Sequence, residues 1–189
     1  MDALEFLKKD HEDTLAMLDE LEDALRSTGD DRTERLKKAT TLAIAESQHE
    51  SIEEEIFWPA VRRSLDNGGD LADTAIGQED RGKHLLQTIE DNEPASPTFA
   101  EALTSFITAA REHIDYEENT VWPAFRAAVG RPELDSLGDK LAKAKKTAPT
   151  RPHPHTPSES AIQASAGMAA AAVDKLRDKA TGRDEMKPE

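Results

Sequence analysis

The chain has 189 residues, of which 33% are charged, 37% hydrophobic and 4% aromatic, and its net charge is −15 with histidine neutral. That acidity makes nucleic acid and anionic membrane poor partners, because either needs a concentrated basic face. There is no Cys, which excludes disulfides, thiolate metal sites, iron–sulfur clusters and thiol nucleophiles.

The opening residues, MDALEFLKKDHED, lack an apolar core of signal-peptide length. No stretch approaches the ~20 apolar residues of a membrane span. A soluble, cytoplasmic protein is expected. A first helix is predicted from Ala3 to Arg26, with an apolar stripe of Leu4, Leu7, Leu15, Leu18, Leu21 and Leu25 in which His11 takes a core position. Ser27-Thr28-Gly29-Asp30 ends it and caps the next. A second helix, Arg32 to Leu65, has the inward series Leu36, Ala39, Ala43, Glu46, His49, Glu53, Ile56 and Ala60. Asn67-Gly68-Gly69 breaks the chain, and Asp70 is the expected N-cap of a third helix, Leu71 to Asp91, which carries His84. Pro94-Ala95-Ser96-Pro97 forms the next turn. The fourth helix, Thr98 to Val129, presents Phe99, Leu103, Phe106, Ala110, His113, Glu117, Val121 and Ala124.

Short connections between long helices imply an all-α, up-down-up-down antiparallel four-helix bundle over residues 1–130. A short basic helix is expected at 131–146 and a Pro-rich, extended linker at 147–160. An Ala-rich C-terminal helix and tail at 161–189 carries the stripe Ile162, Ala166, Ala169, Val173, Leu176 and Ala180, a surface for docking on the bundle or on a protein partner.

One phrase occurs twice. Residues 49–62 read HESIEEEIFWPAVR and residues 113–126 read HIDYEENTVWPAFR, sharing His, Glu, Glu, Trp, Pro, Ala and Arg. Each copy places a His four residues before a Glu, pairing His49 with Glu53 and His113 with Glu117 on one helix face. Imidazole and carboxylate both bind borderline metals such as iron and zinc. Carboxylates in an apolar stripe are costly without a cation. Four of the six His (His11, His49, His84 and His113) fall one per predicted helix. The candidate metal ligands are therefore His11, His49, Glu53, His84, His113 and Glu117.

Measured from the turns, His11 with His49 and Glu53 with His84 can meet at one height, whereas the last pair fits worse: His84 sits about eight residues before the next turn and His113 about sixteen after it. That offset has no explanation in the sequence. Tyr116, Trp58 and Trp122 read as packed aromatics, and Glu54, Glu55 and Glu118 as solvated faces. Pro59 and Pro123 each remove a backbone donor and mark a kink or helix end.

Taken together, a His on the first helix, HxxxE on the second, a His on the third, HxxxE on the fourth and the Trp-Pro after each acidic run resemble the hemerythrin-like family of HHE cation-binding domains. The resemblance covers residues 1 to about 130. It implies a non-haem di-iron centre, two Fe as cofactor, with His11, His49, His84 and His113 as terminal ligands and Glu53 and Glu117 as bridging carboxylates. Oxygen-carrying members present two His four residues apart on the third helix; here Asp80 stands four before His84. Asp80, water or Glu50 would supply the missing ligand. The departure argues against reversible oxygen carriage and for a protein that responds to or reacts with oxygen, peroxide or nitric oxide. The alternative is iron buffering or structural metal binding without turnover. A ferritin-like bundle needs two Glu-x-x-His motifs, and only Glu46-x-x-His49 matches, because Ala110 precedes His113. Zinc sites usually take four ligands, fewer than are aligned here.

Overall fold

The computed structural model describes residues 1–27, 31–154 and 160–186. Eight α-helices are present among them: α1 Ala3–Arg26, α2 Arg32–Ile52, α3 Trp58–Ser64, α4 Gly68–Glu90, α5 Pro97–Tyr116, α6 Trp122–Ala128, α7 Arg131–Lys145 and α8 Ser160–Thr181. Single π-helical turns, Glu53–Phe57 and Glu117–Val121, join α2 to α3 and α5 to α6. The result is the expected up-down-up-down bundle of α1, α2–α3, α4 and α5–α6.

Local chemistry sets the helix starts. Asp2 accepts from the Glu5 amide at 2.8 Å while Glu5 accepts from the Asp2 amide at 3.0 Å, a reciprocal capping box. Ser96 accepts from the Phe99 amide at 3.1 Å, with Pro97 in the first turn. The third bundle helix starts earlier than Asp70 predicts, at Gly68 with Asn67 as its cap. A side chain at Gly68 would put its Cβ 2.3 Å from the Val61 carbonyl oxygen, so only Gly lets α4 begin against α3.

The two prolines neither break nor end their helices. Pro cannot donate, and its ring clashes with the carbonyl of the preceding turn in a regular α-helix. Each π turn lies just ahead of a proline, and the Trp58 and Trp122 amides reach back five residues to the carbonyls of Glu53 and Glu117. The extra residue shifts the helical phase by one position. After the turn the buried positions are therefore Phe57, Trp58 and Val61, and Val121, Trp122 and Phe125, while Ala124 is exposed, contrary to the sequence stripe.

Two apolar clusters fill the bundle. One gathers Leu4, Leu7, Ile52, Phe57, Trp58, Phe125 and the α7 leucines Leu134, Leu137 and Leu141. The other gathers Leu18, Leu21, Leu42, Leu86, Phe99 and Phe106. Leu36, expected to face inward, is 45% exposed.

The C-terminal part folds back onto this body. Ala148, Pro149, Thr150 and Pro152 are buried rather than forming an extended linker, and residues 155–159 of that segment lie outside the described residues. The α8 stripe is reversed from expectation. Val173 and Leu176 are exposed, while Ala171, Asp174 and Asp178 face inward. Thr150 explains the reversal: its amide donates to Asp174 at 3.1 Å and its hydroxyl to Asp178. Ile162, Ala166, Ala169 and Ala180 have side chains outside the described set. No helix is long and apolar enough to cross a membrane, among the described residues.

Candidate metal centre

A polar layer lies between the two apolar clusters, and the duplicated phrase builds most of it. His49 Nε2 lies 3.2 Å from Glu53 Oε2, and His113 Nε2 lies 3.2 Å from Glu117 Oε1, each pair one helical turn apart. From α1, His11 Nε2 approaches Glu117 Oε2 at 3.2 Å. The two oxygens of Glu117 therefore face imidazoles from two different helices.

The donor atoms form two groups. His11, His49, Glu53 and Glu117 make one, and Glu53, Glu79, His113 and Glu117 the other; within each, one donor atom per residue lies within 4.8 Å of the rest. Glu53 and Glu117 belong to both. All six residues are between 0% and 8% exposed. His11 Nε2, His49 Nε2, His113 Nε2, Glu79 Oε2 and both oxygens of Glu53 and of Glu117 are buried without a hydrogen-bond partner. A protein interior leaves few buried polar atoms unsatisfied. This many converging on one point, with imidazole and carboxylate chemistry, fits metal ions.

The far side of each ring is held. Glu118 lies 3.0 Å from His11 Nδ1, Gln78 3.0 Å from His113 Nδ1 and Asp10 3.4 Å from His49 Nδ1. Such partners turn the Nε2 atoms toward the centre and fix the tautomer suited to ligation. The Trp122 ring stacks on His11 at 4.9 Å, and the Trp58 indole donates to Glu79.

The electrostatics differ between the two shared carboxylates. Burial pushes Glu53 well above the ordinary carboxyl value, and the charges of Glu117 and Glu79 push it further. Burial would also raise Glu117, but His113 and His11 outweigh it and hold it low. Burial lowers His11, yet the carboxylates of Glu117 and Glu118 beside it outweigh that and carry it up to about 9. Glu79 is raised well above its ordinary value by burial and by Glu54.

Five of the six predicted ligands come together: His11, His49, Glu53, His113 and Glu117. His84 does not. The inward face of α4 runs through Ala75, Glu79, Gly82, Lys83 and Leu86, and His84, five residues and about 140° past Glu79, is exposed on the other side. Glu79 takes its place. The offset of His84 against His113 was the one signal in the sequence, although His84 is level with Glu53 across the preceding turn; a residue level with His113 had to lie earlier in this helix.

Asp80, one candidate for the missing ligand, is 47% exposed in its side chain and pairs with Lys83. Glu50 is buried but belongs to neither donor group. Tyr116 donates to the Leu71 carbonyl at 3.3 Å. Glu54 and Glu118 are not solvated: Glu54 is buried against Lys83, and Glu118 bridges His11 and Lys8. The wider π turn explains this, because it brings two consecutive residues, 53–54 and 117–118, toward the interior.

Comparison with known proteins gives one consistent result. The family model described as Hemerythrin HHE cation binding domain matches residues 2–125. An uncharacterized hemerythrin-like protein of Schizosaccharomyces pombe is 26% identical over 133 residues, covering 70% of this chain and 66% of that protein. The chain thus spans just under two thirds of that curated relative. Among solved structures, a hemerythrin HHE cation binding domain-containing protein from Mycobacterium kansasii aligns with a TM-score of 0.63 at 21% identity, over 92% of this chain and 99% of that one. At that identity the likeness speaks to the fold.

Proposed function

The chain belongs to the hemerythrin HHE cation-binding family, and from that premise we propose that its bundle holds a pair of non-haem irons that responds to or reacts with oxygen, peroxide or nitric oxide. The observation that carries this reading is the placement of Glu117, whose two oxygens each lie 3.2 Å from a different imidazole. A carboxylate so placed, and shared by both donor groups, suits two ions rather than one. Glu53 and Glu117 would be the shared ligands. His11 and His49 would complete one position, and Glu79 and His113 the other.

When bound, the irons supply redox electrons and open coordination positions for a small ligand. The chain's own residues do the rest. The apolar clusters on either side exclude water, and Asp10, Gln78 and Glu118 keep the three rings turned inward. Three carboxylates and three imidazoles make a harder, more anionic donor set than an imidazole-rich one, which favours the oxidised metal. That supports reaction or sensing over reversible oxygen carriage.

Iron buffering without turnover is the second reading, favoured by the depth of the donors, none more than 8% exposed. Metal analysis of protein loaded anaerobically with Fe(II), followed by peroxide addition under optical observation, tests both. Two irons per chain and a spectral change that follows peroxide support the proposal. One iron per chain, or preferential uptake of zinc, overturns the paired centre. Two irons inert to oxygen, peroxide and nitric oxide leave the buffer.

A further inference from the structure

A buried centre of this kind needs a way in. A cavity of about 10 Å³ touches Glu79 and His113, which is at the lower bound for a single water. A second cavity, of about 120 Å³, reaches His49 from the surface between α1 and α2 and has room for several waters. Its wall carries the oxygen-bearing side chains of Asp10, Asp13, Thr14 and Gln48 beside His49.

Two lysines close it. At the mouth Lys9 pairs with Asp13 at 2.7 Å, both side chains more than half exposed. Deeper, Lys145, the last residue of α7, lies 2.6 Å from Asp10 Oδ2, the same oxygen that faces His49 Nδ1 at 3.4 Å. The Lys145 ammonium stands 5.7 Å over the Phe6 ring, and Gln48 donates to the Lys145 carbonyl at 3.4 Å, so the end of α7 is seated at this opening.

We infer that this cavity is the port by which divalent metal ions enter and leave the centre, with Lys145 as its bolt. The inference rests on the metal-centre reading above. A hydrated cation is costly to strip of water in one step, and oxygen donors along the path replace its shell gradually. Asp13 at the mouth attracts the ion. Lys145 occupies the Asp10 carboxylate that the ion must use next, so passage requires exchange of one cation for another. Once the ion is inside, the returning lysine closes the path.

The test measures rates and affinity separately. Anaerobic apo-protein is mixed with Co(II) to follow uptake optically, and loaded protein is challenged with a chelator to follow release. Lys145→Met keeps the hydrocarbon stem beside Phe6 and removes the charge. It should speed uptake and release together, by roughly five- to tenfold if the bolt is a partly buried ion pair, and leave the equilibrium affinity unchanged. Asp13→Asn should slow both. Arg151→Ala, in the C-terminal segment, should alter neither.

Variants at Lys145 and Asp13 that match wild-type rates overturn the port while leaving the centre intact. So does a change in affinity with an unchanged uptake rate. Wild-type protein that takes up no Co(II) or Fe(II) overturns the centre itself.

Discussion

The two copies of the repeated phrase have the same backbone and different electrostatics. Both place His and Glu a turn apart, both pass through a π turn before a proline, and both bury a Trp after it. Their neighbours then separate them. Glu117 faces His113 and His11 and is held low as a carboxylate, while Glu53 has His49 beside it and the acids Glu117 and Glu79 across from it, and is pushed up. Duplication of a helical unit thus supplies symmetry of position, and the unduplicated helices α1 and α4 decide which copy carries charge. Without metal, Glu117 is the ion-pair partner of two imidazoles, whereas burial and the neighbouring acids oppose charge on Glu53.

The largest expected effect comes from neutralising the two shared carboxylates. In metal-free protein, Glu117→Gln leaves His11 and His113 without their counter-charge and should destabilise the fold by about 3 kcal/mol or more, lowering Tm by about 10 °C for a chain of this size. Glu53→Gln removes a carboxylate that burial opposes and should raise the apo Tm near neutral pH. Iron loading should fall in both variants, because each carboxylate belongs to both donor groups. Thermal melts of the two apo-proteins decide the matter. Equal destabilisation would mean that the two copies are electrostatically alike and that the contrast does not hold.

A second pair of variants tests the contribution of α4. Glu79→Ala should cost one iron per chain, and His84→Ala none, as read by metal analysis. The bundle, its helix order and five of the six clustered side chains were legible in the sequence, because apolar periodicity, turn residues and the HxxxE spacing all act locally. Glu79 was not, since it stands in no repeated motif and is one carboxylate among many in an acidic chain. His84 has the chemistry of a ligand but lies on the exposed face of α4. The π turns were also hidden. Pro59 and Pro123 announced some irregularity, but whether a proline kinks a helix, ends it or is absorbed by a wider turn depends on packing around Trp58 and Trp122. That one-residue phase shift is why Glu54 and Glu118 proved to be buried or bridging and Ala124 exposed.

The pH response of the apo-protein should follow the same contrast. His11 is raised from 6.5 to about 9, so the stabilisation it provides is complete below pH 6.5 and is lost as pH rises through 9. Glu53 and Glu79, raised above 4.5, act in the same direction, because the folded state binds their protons more tightly than the unfolded one. Glu117, held below 4.5, acts oppositely, and its contribution is lost only in acid. Apo stability should therefore fall between pH 6.5 and pH 9, and the stabilisation by metal should widen over that range as ions replace protons on the donors. The Glu117→Gln variant should show a weaker slope, since Glu117 is the first of the partners that hold His11 up. A slope of wild-type size in that variant would assign the titration to other groups.

The smallest effects belong to the residues that follow each shared carboxylate, and they separate the copies most finely. Glu118 sits 3.0 Å from His11 Nδ1 and 2.7 Å from Lys8, so it orients a donor ring without donating to the centre itself. Removing such a partner typically weakens metal affinity by about tenfold or somewhat more, and Glu118→Ala should do so with little change in apo Tm, because the group is only partly buried. Glu54 occupies the aligned position but points at Lys83, away from any of the three rings. Glu54→Ala should leave metal affinity unchanged and lower the apo Tm, because Lys83 then keeps only the half-exposed Asp80, at 3.4 Å, as a direct partner. Competitive metal titration and thermal melting of the same two variants read the two effects independently. If both variants lose affinity to the same degree, the residue after each shared carboxylate has one role in both copies, and the division of labour between them ends at Glu53 and Glu117.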